Sequence, residues 1–71
     1  MKRQPLTSTV IASVGYDIDT AVLEIEFASG ELWHYNLVPP SVHRALLDAD
    51  SPGRYFGTRV RDRYPERQIY D

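Results

Sequence analysis

Apolar and polar side chains alternate through the first half of the chain. Val10, Ala12, Val14 and Tyr16 recur at every second position, the period of a strand with one buried face. Asp17-Ile18-Asp19-Thr20 follows and supplies turn chemistry, because an Asp side chain bonds its own downstream backbone. Residues 22–27 alternate again, with Leu23, Ile25 and Phe27 on one face and Glu24 and Glu26 on the other. Ser29-Gly30 marks a second turn, and residues 32–36 form a third strand.

Val38-Pro39-Pro40 ends the sheet, since proline cannot donate to a ladder. A helix is expected from Pro40 or Ser41, with Val42, Ala45, Leu46 and Ala49 at i, i+3, i+4 and i+7 as its apolar stripe. Ser51-Pro52-Gly53 breaks that helix and opens a second, with Ser51 as N-cap and Pro52 at the first helical position. Phe56, Val60 and Tyr64 recur every fourth residue as its buried face, and Pro65 ends it. The expected fold is α+β: a three-stranded antiparallel meander followed by two short helices packed on one sheet face, βββαα. Residues 1–7 read as a flexible N-terminal arm and residues 65–71 as a C-terminal tail that frays.

With 71 residues, the chain is long enough for one core only. Its 42% hydrophobic and 25% charged content is that of a globular protein. The absence of cysteine excludes disulfides and thiolate metal sites, and fits a cytoplasmic location. No apolar run is long enough to span a membrane.

The net charge of −2 conceals a split. Asp17, Asp19, Glu24, Glu26, Glu31, Asp48 and Asp50 face only Arg44 in the first part, whereas Arg54, Arg59, Arg61, Arg63 and Arg67 outnumber Asp62 and Glu66 in the second. A basic end suits an anionic partner; a dipolar, solvated surface accounts for the same letters.

An ordered set of residues resembles a known family. Ser8, Ile11, Gly15-Tyr16, the Leu23-to-Phe27 strand, Gly30, Trp33-His34-Tyr35, Val38-Pro39, Leu46, Ser51-x-Gly53, Phe56, Val60-Arg61 and Tyr64 are similar to the KTSC domain. This domain occurs at the C-terminus of some lysyl-tRNA synthetases and as small stand-alone bacterial and phage proteins. The resemblance spans residues 8–64. It implies a small cytoplasmic domain that touches RNA, with no catalytic residues and no cofactor. Trp33 replaces the first tyrosine of the family's usual Tyr-x-Tyr. Pro52 stands where a basic residue often lies, which weakens an anion-binding reading of the second-helix cap.

Three constellations are candidates for binding. Trp33 and Tyr35 share a strand face, and the hairpin register decides which. A two-residue Ser29-Gly30 turn places them opposite Glu26 and Glu24, as a stacking platform for bases. A three-residue Ala28-Ser29-Gly30 loop, with Gly30 in a left-handed bulge, places them opposite Ile25 and Leu23 in the core. The second loop asks a positive φ of Gly30 alone, which favours it.

The second helix carries Arg54, Arg59, Arg61 and Arg63. At about 100° per residue Arg54 pairs with Arg61, and Arg59 with Arg63, the latter two beside Tyr55. Forked donors next to a ring suit phosphate and base, though a solvated helix face reads alike. The helix N-terminus at Ser51, Gly53 and Arg54 offers free N–H groups to an anion, or is simply an N-cap.

Signals for catalysis are weak. His34 and His43 have no partner at metal-ligand spacing. Glu24 and Glu26 read as solvated charge, and Asp17-Ile18-Asp19 lacks the length and closing Glu of a calcium loop. Ser8, Ser13 and Ser41 have no histidine at a motif spacing. The expectation is a non-catalytic binding module for RNA or another phosphate-bearing ligand. The alternatives are a self-association module or a small protein that sequesters a nucleotide.

Overall fold

The computed structural model of the protein describes residues 1–70. Seven elements follow in order: β1 Arg3–Pro5, β2 Ile11–Asp17, β3 Val22–Phe27, β4 Leu32–Tyr35, α1 Pro40–Asp48, α2 Pro52–Arg59 and β5 Glu66–Ile69. The five strands form one antiparallel sheet in the order β1-β2-β3-β4-β5.

The α+β class and the two helices agree with the pattern of the chain, but the sheet has five strands, not three. The segments expected as arm and tail contain its two edge strands. Gln4 pairs with Val14 along β1, and Tyr35 with Glu66 along β5. Neither segment carries an alternating apolar pattern, so periodicity missed both. An edge strand can hold Pro5 because one side of its ladder is unpaired. β1 also depends on Gly15, where a Cβ would lie 3.0 Å from the Lys2 carbonyl oxygen.

Both turns of the meander use the expected chemistry. Asp17 Oδ1 accepts from the N–H groups of Asp19 (2.9 Å) and Thr20 (3.4 Å). Gly30 has φ +99°, and its N–H donates to the Phe27 carbonyl at 2.9 Å. This is the three-residue loop. It sets Tyr35 opposite Leu23 and Trp33 opposite Ile25.

β2 departs from simple alternation. Its pairing with β3 shifts register between Ile11 and Ser13, and the extra residue of such a bulge reverses the phase of the side chains. Ile11 therefore faces Phe27 in the core, and Val10 is left 46% exposed.

The core lies between the sheet and the helices. Ile11, Val14, Leu23, Ile25 and Tyr35 come from the strands, Leu46 and Phe56 from the helices, and Val38 and Val60 from the loops beside them. Phe56 sits edge-on to both Phe27 and Tyr35, each with ring centroids 5.3 Å apart, the arrangement aromatic quadrupoles favour. Tyr16 stacks on His43 of α1 at 4.9 Å and donates its hydroxyl to the Val38 carbonyl. Burial, followed by the nearby Arg44 charge, holds the His43 pKa below its ordinary value.

α2 is shorter than the sequence implies. The N–H groups of Val60 and Arg61 both donate to the Phe56 carbonyl, which widens the last turn. Asp62 then adopts φ +61°, a left-handed conformation that Asp tolerates better than most residues and that no helix continues through. Val60 and Tyr64 still pack on the core, but Arg61 and Arg63 lie beyond the helix.

Candidate functional site

α2, the β3–β4 hairpin and the start of β5 enclose an open groove of about 550 Å3. Phe27, Trp33, Tyr35 and Phe56 provide its aromatic lining, and Gly53 and Gly57 present α2 without side chains. Arg61, Glu31 and Glu66 supply its charge. Trp33 is half-buried and fixed from one side, its Nε1–H donating to Glu31 Oε1 at 2.9 Å. Tyr35 is deeper, at 3% exposure.

The groove unites some of the sequence-derived candidates and separates others. Trp33, Tyr35, Gly53 and Arg61 share it. Arg54, Arg59 and Arg63 are exposed elsewhere. The expected Arg59–Arg63 flank is not a helical one, because the helix stops at Arg59. Tyr55 is partly buried against the core, so it is no free ring beside Arg59. Arg54, Arg59, Arg61 and Arg63 form no ion pair with any described residue.

The start of α2 has the geometry of a plain N-cap. Ser51 Oγ accepts from the Arg54 N–H at 3.3 Å. The space beside Gly53 is taken by Val10, whose Cβ and Cγ2 lie 3.1 Å from where a Gly53 Cβ would stand. Gly53 thus serves close approach of α2 to the chain entering β2.

The opposite face of the sheet holds a polar network that the sequence reading treats as solvated charge. Glu24, only 7% exposed, accepts from Arg3 Nη1 through Oε1 (2.8 Å), and its Oε2 lies 2.7 Å from His34 Nε2. Ser13 Oγ accepts from Arg3 Nε and donates to Glu26 Oε1. Burial pushes the Glu24 pKa up, but the hydrogen bonds from His34 and Arg3, with their charges, outweigh it and hold the carboxyl below its ordinary value. One half of this network was readable: any register that sets Tyr35 opposite Leu23 also sets His34 opposite Glu24. Arg3 was not, since nothing local marks β1.

Glu66 was missed for the same reason as β5. Among the described residues no three His, Cys, Asp or Glu side chains are placed to hold a metal ion. None of the described helices is long and apolar enough to cross a membrane.

Fold and groove together define a small α+β domain with an aromatic cleft under its second helix. The chain belongs to the KTSC domain family, whose model matches residues 7–64. A crystal structure of a KTSC domain protein from Yersinia pestis superimposes with a TM-score of 0.95 at 36% identity, covering 97% of each chain. A protein of Stutzerimonas stutzeri described as uncharacterized is 54% identical over 56 residues, 79% of each chain. A lysine–tRNA ligase of Nostoc punctiforme is 36% identical over 61 residues, which are 86% of this chain and 11% of the ligase.

Proposed function

We propose that this protein is a non-catalytic module that binds single-stranded RNA, with a base held in the aromatic groove and phosphates met by the arginines around α2. The observation that carries the reading is the meeting of the half-buried Trp33 with Arg61 in one open cleft, which Tyr35 lines from its buried position. The accessible part of an indole stacks on a base whatever its sequence, and guanidinium forks meet phosphate oxygens. Arg54, Arg59 and Arg63 lie exposed outside the cleft, free of ion pairs with the described residues. The likeness to part of a tRNA ligase supports RNA as the source of the phosphates.

A single nucleotide held in the same cleft would share this chemistry without the contacts to the arginines outside it. Self-association through an acidic meander has weaker support, because Glu24 is buried against Arg3 and His34 instead of facing outward.

The test is titration with a short single-stranded RNA, followed by amide chemical shifts. Shifts at Trp33, Tyr35, Gly57 and Arg61 and at the exposed arginines around α2, with affinity falling as salt rises, are expected. Shifts confined to the opposite face of the sheet, no shifts, or a salt-independent affinity would count against the reading.

A further inference from the structure

The polar end of the groove is built more specifically than stacking requires. Tyr35 is 3% exposed and lines the groove, and its hydroxyl has no hydrogen-bond partner among the described residues. That oxygen is not sealed away either, because among the described residues no buried side-chain polar atom is left without a partner. A phenol kept dry on its ring and open at its oxygen is placed for a ligand atom.

Charges of opposite sign stand beside it. Burial drives the Tyr35 pKa up to about 12, with Glu66 adding to the rise, Arg61 opposing it and the more weakly acting Asp62 adding to it again. All three side chains are therefore close enough for the phenol to feel them, and of these Glu66 and Arg61 line the groove. Yet Arg61 and Glu66, lining one groove, make no ion pair with each other. Glu31 differs, since one of its oxygens already accepts from Trp33. The groove thus offers, at one end, a carboxylate and a guanidinium that make no ion pair with any described residue, together with a phenol hydroxyl, and an indole along its side.

We infer that the groove is selective for guanine. This rests on the RNA-binding reading and names the base that the cleft takes. Guanine alone among the four RNA bases carries two adjacent donors, N1–H and N2–H2, next to an acceptor, O6. The Glu66 carboxylate can take both donors at once, while Tyr35 or Arg61 donates to O6. Adenine and cytosine bring one amino group beside a ring nitrogen whose lone pair would face the carboxylate. Uracil has a single N–H flanked by carbonyls, which the carboxylate repels.

The experiment uses the full chain and four heptamers, UUUGUUU, UUUAUUU, UUUCUUU and UUUUUUU, with fluorescence of Trp33, the only tryptophan, as readout. The guanine heptamer is expected to bind roughly tenfold tighter than the others, the discrimination of one bidentate pair. Glu66→Gln should erase that preference by weakening UUUGUUU relative to UUUAUUU, and Tyr35→Phe should reduce it. Equal affinity for all four would overturn the guanine assignment and leave the RNA reading standing. No binding to any would overturn both. A guanine preference that survives in Glu66→Gln would overturn the role given to that carboxylate.

Discussion

His34 Nε2 lies 2.7 Å from Glu24 Oε2 across the β3–β4 pair, and Arg3 Nη1 reaches the other oxygen of the same carboxylate at 2.8 Å. One nearly buried acid thereby connects an edge strand to the middle of the sheet and to the strand beyond. The helices play no part in it.

Replacing that acid tests the connection. Glu24→Gln keeps the shape but loses the charge that both partners address, and should cost about 1.5–3 kcal/mol in urea unfolding, the range for hydrogen bonds to charged groups. Arg3 is about one-third exposed, which places the Arg3 share at the low end. The Glu24 pKa is depressed in the folded chain, so the unfolded state binds more protons as acid is added. The stabilisation is present above the unfolded value of 4.5 and disappears as pH falls through the folded one. The acid limb of a stability–pH curve should therefore be flatter in Glu24→Gln than in the parent.

Tyr35 governs the alkaline side. Its folded pKa is raised from 10.0 to about 12, so the unfolded chain gives up this proton first. Stability should be constant with respect to this group below pH 10 and fall between there and 12. Tyr35→Phe should remove that share of the alkaline loss, as read from thermal melts of the two proteins at matched pH.

Two glycines should respond to alanine with opposite signs. At Gly15 a Cβ meets the Lys2 carbonyl oxygen at 3.0 Å and Arg3 Cγ at 3.1 Å, so Gly15→Ala should displace β1 and destabilise by about 1–3 kcal/mol. Hydrogen exchange of the Leu6 amide, which donates to Ala12 at 3.0 Å, would report the detachment. At Gly57, within α2, a Cβ meets nothing within 4 Å. Gly57→Ala should stabilise by about 0.4–1 kcal/mol while narrowing the groove, giving a higher melting temperature and weaker RNA binding in one variant.

Arginine variants should separate the groove from the surface around it. If two or three phosphates of a single strand are neutralised, the slope of log affinity against log salt is roughly −1.5 to −2. Arg61→Ala should lower affinity most, because Arg61 lines the cleft. Arg59→Ala should chiefly reduce the slope, by roughly 0.7 for one lost phosphate contact. Filter binding at several salt concentrations distinguishes the two outcomes.

The middle of the chain was legible because its local signals agree with one another. Glycine at position 30, with serine before it, chose the loop; the loop set the register; the register sent Trp33 and Tyr35 to the helix side. Ser51 and Pro52 likewise marked the start of α2. What escaped depends on partners far away in sequence. Arg3-Gln4-Pro5 and Glu66-Arg67-Gln68-Ile69 have no strand pattern of their own, and pair only because β2 and β4 present open ladders. The end of α2 escaped for a different reason. Tyr64 keeps the four-residue spacing from Val60 although the backbone between them leaves the helix, so periodicity ran past the true stop. Of the groove, the aromatic pair, Gly53 and Arg61 were named from the sequence, but their meeting place and Glu66 were not.

Cutting the polypeptide to the span that the family model recognises, 7–64, would shear off both outer ribbons. Such a fragment would leave β2 and β4 with unsatisfied, sticky flanks prone to clumping. It would also lack the Arg3 clasp on Glu24 and the Glu66 carboxylate. A trimmed preparation that fails to recognise RNA would therefore say little about the intact molecule.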